Sequence, residues 1–166
     1  MRIDVLSRAK KKKFVVGLSD LGIEKIPQML VRSGKERIRA FSGDLDREKI
    51  MDIWHLLPIE GIGLYVGKDM VNRNGVREVR LALDGMHVWK EQLTERVLEL
   101  TEKQEKEWFL GRDIELGPEQ KVEAGFVSVK SGDDFVGVGK LGAKQEDGSR
   151  MLYSFLPKER RRKPKQ

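Results

Sequence analysis

The sequence predicts an α+β N-terminal domain followed by a small mixed β-barrel. Its first half combines an amphipathic helical pattern with two hairpin patterns, which favours helices packed on an antiparallel sheet. Its second half has one capped helix and then short strands separated by turn residues, a spacing typical of small barrels. With 166 residues the chain is long enough for two small cores. The predicted segments are a basic arm over 1–13, the α+β domain over 14–94, the barrel over 95–157 and a basic tail over 158–166.

Turn and cap residues place the elements of the first domain. Ser33-Gly34 and Asn74-Gly75 lie between apolar runs, so each pair predicts a hairpin. The four strands of these hairpins are predicted over 28–32, 36–42, 63–68 and 76–83. Ser42 or Asp44 can cap a helix that ends before Pro58. Nearer the start, the apolar run 14–17 predicts either a strand or a packed turn.

The second half opens with a predicted strand over 96–100 and then a helix. Thr101 caps this helix, Gln104 completes a capping box, and Gly111 is a natural stop. Three further strands are predicted over 125–130, 135–140 and 150–155, with turns rich in glycine and aspartate between them. Short strands at this spacing, with one helix near the start, predict a closed or nearly closed barrel.

Positive charge is concentrated at the two ends of the sequence. The net charge is +6; residues 1–13 contribute +5 and residues 158–166 contribute +5, so residues 14–157 carry −4. Basic ends on a mildly acidic body can attract a polyanion over a long range. The alternative, that charged tails only keep a small protein solvated, fits the same pattern equally well.

The residue content argues against several kinds of active site. The chain has no cysteine, which removes disulfides, thiolate metal sites and cysteine nucleophiles. His55 and His87 are the only histidines and lie in separate segments, so a zinc site is not expected. The glycine pairs within 61–63 and 137–139 lack the spacing of nucleotide-binding loops. We therefore expect no enzymatic activity, no cofactor and no metal.

The sequence also lacks the patterns of membrane insertion and secretion. No apolar run approaches the roughly 20 residues that span a bilayer. The first residues do not have the charged and apolar regions of a signal peptide. These observations predict a cytoplasmic protein with no membrane partner.

Several stretches of the second half resemble a PUA domain, an RNA-binding β-barrel. The strand 97–100 and the capped helix that leads into 108–114 resemble the opening of that domain. The strands 125–130 and 135–140 resemble its central pair, with a bend marked by glycines. The ending 153–161 is similar to the C-terminal PUA-like domain of Sun/Fmu-type RNA cytosine methyltransferases.

The first half, in particular 61–83, resembles the pre-PUA domain that archaeal and eukaryotic ribosome-biogenesis factors place before a PUA barrel. Together the two resemblances imply an RNA-binding protein. In PUA domains the RNA usually lies against the loop after the first helix and against the last strand. At the matching positions of this sequence, the implied RNA contacts are Leu110, Gly111, Arg112, Asp113, Tyr153, Ser154, Phe155 and Lys158.

These residue types suit RNA, although they also have structural alternatives. Gly111 lets the backbone approach a phosphate closely, and Arg112 can fork onto a phosphate or a guanine edge. Alternatively, Gly111 only ends the helix. The rings of Tyr153 and Phe155 can stack on bases. However, both lie on one face of the strand, and we expect that face to be core.

The charge pattern orients the expected RNA surface. The acidic run from Glu91 to Glu107 is expected to be a solvated face. Because acidic surface repels RNA, we expect the RNA to bind away from it. The basic residues expected on the RNA surface are Lys130, Lys140, Lys144, Arg150, Arg160, Arg161 and Arg162.

The function favoured by these features is non-catalytic binding of tRNA or rRNA, in support of RNA modification or ribosome biogenesis. The expected partners are therefore RNA and, beside it, an RNA methyltransferase or a ribosome-assembly factor. The first alternative is a protein-interaction scaffold whose barrel docks such an enzyme or factor. The second is a detached enzyme module that needs a catalytic partner.

Overall fold

A computed structural model describes residues 2–164 as a mixed α/β protein with two five-stranded sheets. Contacts divide these residues into two units, the first formed by 2–19 and 23–89 and the second by 20–22 and 90–164. The short segment 20–22 joins the second unit through Leu21, whose side chain is buried and whose carbonyl accepts a hydrogen bond from Glu95 N at 3.3 Å. In the described part of the chain, every helix is too short or too polar to cross a membrane.

The sheet of the first unit is antiparallel throughout, and each strand pairs with the next one along the sequence. Its strands are β1 (Ile3–Val5), β2 (Met29–Ser33), β3 (Arg37–Phe41), β4 (Leu64–Val71) and β5 (Arg77–Leu81). The β2–β3 and β4–β5 hairpins confirm the two hairpin predictions. Their turns contain Gly34 and Gly75, which have φ of 67° and 77°, so the left-handed turn conformation favours glycine at both positions.

Three helices accompany this sheet: α1 (Arg8–Val16), α2 (Arg47–Leu56) and α3 (Leu83–Val88). Asp46 caps α2 by accepting a hydrogen bond from Lys49 N at 2.9 Å, so the prediction of Ser42 or Asp44 as the cap is wrong. The physical reason is position, because a cap residue must directly precede the first helical turn. The predicted stop before Pro58 is confirmed, since the helix ends at Leu56.

Residues 3–5 form a strand and residues 8–16 form a helix, whereas the charge of this region predicts a basic arm over 1–13. Ile3 and Val5 of β1 are buried and pack with Val31 and Ile50 in a core cluster. The run 14–17, predicted as a strand or a turn, instead forms the end of α1 and its C-cap, Gly17; the buried side chain of this helix is Phe14. Apart from Arg2, which directly precedes β1, the basic residues near the start therefore lie on helix α1.

The described residues of the second unit contain one α-helix, α4 (Glu102–Phe109), and five strands. The strands are β6 (Val97–Glu99), β7 (Ile114–Leu116), β8 (Gly125–Ser131), β9 (Asp134–Leu141) and β10 (Arg150–Ser154). They form a curled half-barrel with the order β6-β8-β9-β10-β7, in which β6 and β8 are parallel and the other pairs are antiparallel. The capping box of Thr101 and Gln104 confirms its prediction. Strand β7 was not predicted.

Trp108 lies at the centre of the second core and is fully buried. The buried core side chains around it come from the five strands and their flanks: Leu98, Leu100, Ile114, Leu116, Val127, Val129, Leu141, Leu152 and Leu156. A bulge in β9 makes room for the indole. Val129 pairs with Gly137 and Lys130 with Phe135, so Val136 has no register partner, and its carbonyl accepts the indole N–H at 3.1 Å.

Gly137 allows strand β9 to deviate from regular pairing next to Val136. Its φ is +149°, and a Cβ atom at this position would lie 2.9 Å from Cζ2 of Trp108. A larger residue would therefore be strained and would also collide with the indole. The bend predicted from the glycines of this strand is present, and it serves the packing of Trp108.

Candidate nucleic-acid interface

A row of side chains crosses three neighbouring strands on the outer face of the second sheet. Phe126 on β8 is paired with Lys140 on β9, and Lys140 is paired with Tyr153 on β10. Paired residues in antiparallel strands share a face. Leu152, next to Tyr153, is fully buried, so the row faces away from the core.

Phe155 extends this row just beyond β10. Its ring centroid lies 5.9 Å from that of Phe126, and the two rings are inclined by 60°. The ammonium group of Lys140 lies 5.1 Å from the centroid of Phe126, within the range of a cation–π contact. We call these four residues, Phe126, Lys140, Tyr153 and Phe155, the aromatic platform.

The expectation that Tyr153 and Phe155 face the core is wrong. Tyr153 is 47% exposed and Phe155 is 37% exposed. The inward positions of this segment are taken by the smaller Leu152 and Leu156, both of which are buried in the core around Trp108. The aromatic rings are therefore left on the outer face, where a ligand can reach them.

The chemistry of the platform suits unpaired nucleotides. Exposed rings offer faces on which bases of any sequence can stack. A lysine among the rings can contact the phosphate of a stacked nucleotide. The family resemblance implied RNA contacts at Tyr153 and Phe155, and the charge pattern implied one at Lys140. Phe126 was missed, because the bulge at Val136 shifts the β8–β9 register in a way that residue spacing does not reveal.

The loop after α4 is packed against the basic tail. Leu110 ends the helix, and Gly111 follows with φ of 75°. A Cβ atom on Gly111 would lie 2.4 Å from Nε of Arg161, whose Nε in turn donates to the carbonyl of Leu156 at 3.1 Å. The sequence predicts that a phosphate approaches Gly111 closely, whereas in the structure the guanidinium of Arg161 lies there.

Two further loop residues have partners within the protein. Arg112 forms an ion pair with Glu107 at 2.8 Å, and their side chains are 59% and 41% exposed. An exposed pair of this kind is weak, so the guanidinium can exchange its partner for a phosphate at little cost. Asp113 accepts a hydrogen bond from Ser154 N at 3.0 Å, and Oγ of Ser154 accepts one from Leu156 N at 3.3 Å. Asp113 and Ser154 therefore hold the end of β10, next to the platform.

The basic tail returns to the acidic helix, whereas the sequence predicts that it lies away from the acidic run. Arg162 N donates to the carbonyl of Phe109 at 2.7 Å, and its guanidinium lies 4.3 Å from the Phe109 ring centroid. The same guanidinium is 3.9 Å from Glu105. Stacking and charge attraction explain this position. Lys158 and Arg160 are exposed in the adjoining helical turn, and Lys165 lies outside the described residues.

The remaining predicted cations lie in different environments. Lys130 lies 5.8 Å from the ring centroid of Phe135, and Lys144 is exposed in the loop after β9. Arg150 is only 8% exposed and donates to the carbonyl of Val122, so its assignment to the RNA surface is wrong. The reason is strand alternation, because Arg150 has the same parity as the buried Leu152.

Comparison of the chain with known proteins does not identify this surface. No protein-family model matches the chain, and a search of curated proteins also finds no match. In residues 2–164, no three His, Asp or Glu side chains are grouped so that they could hold a metal ion.

The first unit contains a carboxylate that two arginines hold. Asp69 on β4 accepts hydrogen bonds from Arg32 on β2 and Arg77 on β5, each at 2.7 Å. Burial alone would raise the pKa of Asp69, but the hydrogen bonds from Arg77 and Arg32 outweigh that effect and hold the pKa below its usual value. The folded state therefore favours the ionised carboxylate.

Asp69→Asn is expected to lower the free energy of unfolding by about 1–3 kcal/mol near neutral pH, because two partly buried arginines lose their counter-charge. A depressed pKa stabilises the fold above the unfolded value of about 3.9 and stops doing so as pH falls through the lower folded value. The stability gap between wild type and variant should therefore close below about pH 4. Urea unfolding across this pH range measures the gap.

The matched control for this experiment is Asp52→Asn, which removes an exposed carboxylate from α2 of the same unit. It should change the free energy of unfolding by no more than about 0.5 kcal/mol. A gap for Asp69→Asn that stays constant down to the acid limit would contradict the assignment of its effect to the ionised carboxylate.

Proposed function

We propose that this chain is a non-catalytic RNA-binding protein and that unpaired bases stack on its aromatic platform. The observation that supports this most directly is the outward row of Phe126, Lys140 and Tyr153 across three adjacent strands. Aromatic rings on the open face of a sheet, with a cation among them, match the requirements of a single-stranded nucleic acid. The absence of cysteine supports a non-catalytic role, since the methyltransferases that the sequence resembles attack the base with a thiol.

We further propose that the second unit is a PUA-like barrel and that the first is a pre-PUA domain. Three features support the proposal of a PUA-like barrel. Helix α4 follows β6, the first strand of the second unit; β9 is irregular at its glycines; and the sheet is curled. The hydrogen bond from Ser154 to Asp113 joins the last strand to the loop after α4, the two places where RNA usually lies on PUA domains. Cytoplasmic tRNA or rRNA is then the ligand, in support of RNA modification or ribosome assembly.

The platform can be tested by removing its rings. Phe126→Ala and Tyr153→Ala should each weaken the binding of a short oligouridine by about 5- to 150-fold, which corresponds to about 1–3 kcal/mol per stacked base. Tyr153→Phe keeps the ring and should keep most of the affinity. Fluorescence anisotropy at one fixed, low salt concentration measures the dissociation constants.

Phe135→Ala is the matched control, because it removes an aromatic ring from the same β8–β9 hairpin but outside the platform. Its affinity for oligouridine should stay within about twofold of wild type, a difference of less than 0.5 kcal/mol. Equal affinities for wild type, Phe126→Ala and Tyr153→Ala would refute stacking on the platform.

An exposed apolar pair favours the protein-scaffold alternative as the second candidate. Leu56 and Leu57, at the end of α2, are 80% and 60% exposed. Exposed apolar surface of this kind can dock a protein such as a methyltransferase or an assembly factor. The two candidates differ in their response to salt, because RNA binding weakens steeply as salt rises whereas apolar docking does not.

A further inference from the structure

The first unit contains a basic cleft that the proposed stacking surface does not use. The cleft has a volume of about 950 Å³ and is bordered by β1, α1, the β2–β3 turn, β4 and β5. Its cationic lining residues are Arg2, Lys10, Lys13, Arg32, Lys35 and Arg77, and its acidic ones are Asp4, Glu36 and Asp69. Six cations against three acids give the lining a net charge of +3.

The acidic residues of the cleft neutralise only some of these cations. Lys10 is paired with Asp4 at 2.7 Å, and Asp69 is shared by Arg32 and Arg77. In contrast, the side chains of Arg2, Lys13 and Lys35 are exposed and have no hydrogen-bond or ion-pair partner among residues 2–164. These three side chains are thus available to an anionic ligand; we call them the unpaired cations.

Asp69 also orients the two arginines that it binds. Arg32 donates a further hydrogen bond to the carbonyl of Lys35 at 3.0 Å, and Arg77 donates one to the carbonyl of Lys13 at 3.2 Å. A guanidinium has five N–H donors, so each arginine keeps donors for a ligand after these bonds are made. Fixed guanidinium groups bind phosphate with little loss of conformational entropy.

Because α1 is a helix, the side chains of its four consecutive lysines point in different directions. Lys10 and Lys13 are three residues apart, so they share a face of the helix, and both line the cleft. Lys11 donates to the carbonyl of Gln28 at 2.8 Å. Lys12 is exposed and does not line the cleft. The run that the sequence presents as one basic block therefore contributes two cations to this site.

We propose that the cleft binds successive phosphate groups of an RNA strand, as a second contact that is separate from the aromatic platform. The inference rests on the proposed RNA-binding function and adds the contribution of the first unit to it. The volume supports an extended ligand, because it equals that of a pocket for a whole drug-sized molecule and a single phosphate would leave most of it empty. The unpaired cations and the two forked arginines match the successive phosphates of a phosphodiester backbone.

The proposal can be tested with a variant that lacks the unpaired cations, Arg2→Ala with Lys13→Ala and Lys35→Ala. Its control is Lys12→Ala with Lys103→Ala and Lys106→Ala, which removes the same charge from exposed positions outside the cleft. The dissociation constants of oligouridine and of unfractionated tRNA are measured between about 50 and 200 mM salt. Far-UV circular dichroism checks that both variants are folded.

The cleft variant should bind oligouridine about 10- to 100-fold more weakly at the lowest salt concentration, and its log–log salt slope should be smaller by about two, because each neutralised single-strand phosphate contributes about 0.7. The control variant should lose much less affinity, and its salt slope should change much less. A variant with Lys13→Arg and Lys35→Arg keeps the charges and should keep the wild-type slope.

Other outcomes separate this inference from the proposed function. If the cleft variant keeps the affinity and slope of the control while the platform variants lose affinity, the cleft proposal is overturned and the platform stands. If only the cleft variant loses affinity, the cleft stands and the platform fails. If the wild type binds neither RNA at low salt, both fail, and binding of poly-glutamate in place of RNA would assign the cleft to an acidic protein.

Discussion

Trp108→Ala is expected to lower the free energy of unfolding of the second unit by about 3–5 kcal/mol. The indole is fully buried among side chains from α4 and all five strands of the half-barrel. Its removal leaves a cavity that the curled sheet cannot close and deprives the carbonyl of Val136 of its hydrogen-bond donor. Urea unfolding followed by far-UV circular dichroism measures the loss without relying on tryptophan fluorescence.

Tyr153→Ala is the control for Trp108→Ala, since it removes an exposed aromatic ring from the same unit. It should cost less than about 1 kcal/mol. Trp108→Phe keeps most of the ring volume but loses the indole N–H, so its stability should lie between wild type and the alanine variant. A Trp108→Ala protein as stable as Tyr153→Ala would show that the second core does not depend on the indole.

Phe14→Ala should destabilise the first unit by about 3–5 kcal/mol and should loosen α1 in particular. Phe14 is the buried side chain of a helix that otherwise consists largely of lysine, and its ring packs near Gly67 of β4. Because α1 carries Lys10 and Lys13 into the basic cleft, the same change should also weaken the cleft. Hydrogen exchange of the α1 amides, together with urea unfolding, measures both the local and the global effect.

Val16→Ala provides the comparison, because Val16 lies on the same helix and is 60% exposed. It should leave the free energy of unfolding within about 0.5 kcal/mol of wild type. If Phe14→Ala leaves the exchange of the α1 amides unchanged, then the helix is held by contacts other than Phe14.

Local chemistry made some features of the fold predictable. The turns at Gly34 and Gly75 have a left-handed conformation that favours glycine, and both β-hairpins appear where those residues predict them. The capping box of α4 is another such signal, because Thr101 and Gln104 satisfy each other's backbone N–H groups whatever the rest of the fold does. Signals of this kind depend on three or four residues that are adjacent in sequence.

Other features depend on contacts that residue spacing does not encode. Helix α1 has one buried side chain, so no amphipathic pattern distinguishes it from a basic arm. Phe126 joins the platform through a register that the bulge at Val136 shifts by one residue. Arginine is usually a surface residue, but the position of Arg150 on β10 places its side chain on the buried face of the strand. Each of these outcomes is decided by the pairing of distant segments.

The passage of segment 20–22 into the second unit has a consequence for the order of folding during translation. All five strands of the first unit have been synthesised by residue 81, whereas the second core is complete only with Leu156. The 67 residues from Lys90 to Leu156 need about 3–13 s at a typical elongation rate. Leu21, buried in the finished protein, leaves the ribosome long before its own unit exists. Because domains generally fold as units during synthesis, we expect Leu21 to stay exposed to water until the rest of the second unit has been made.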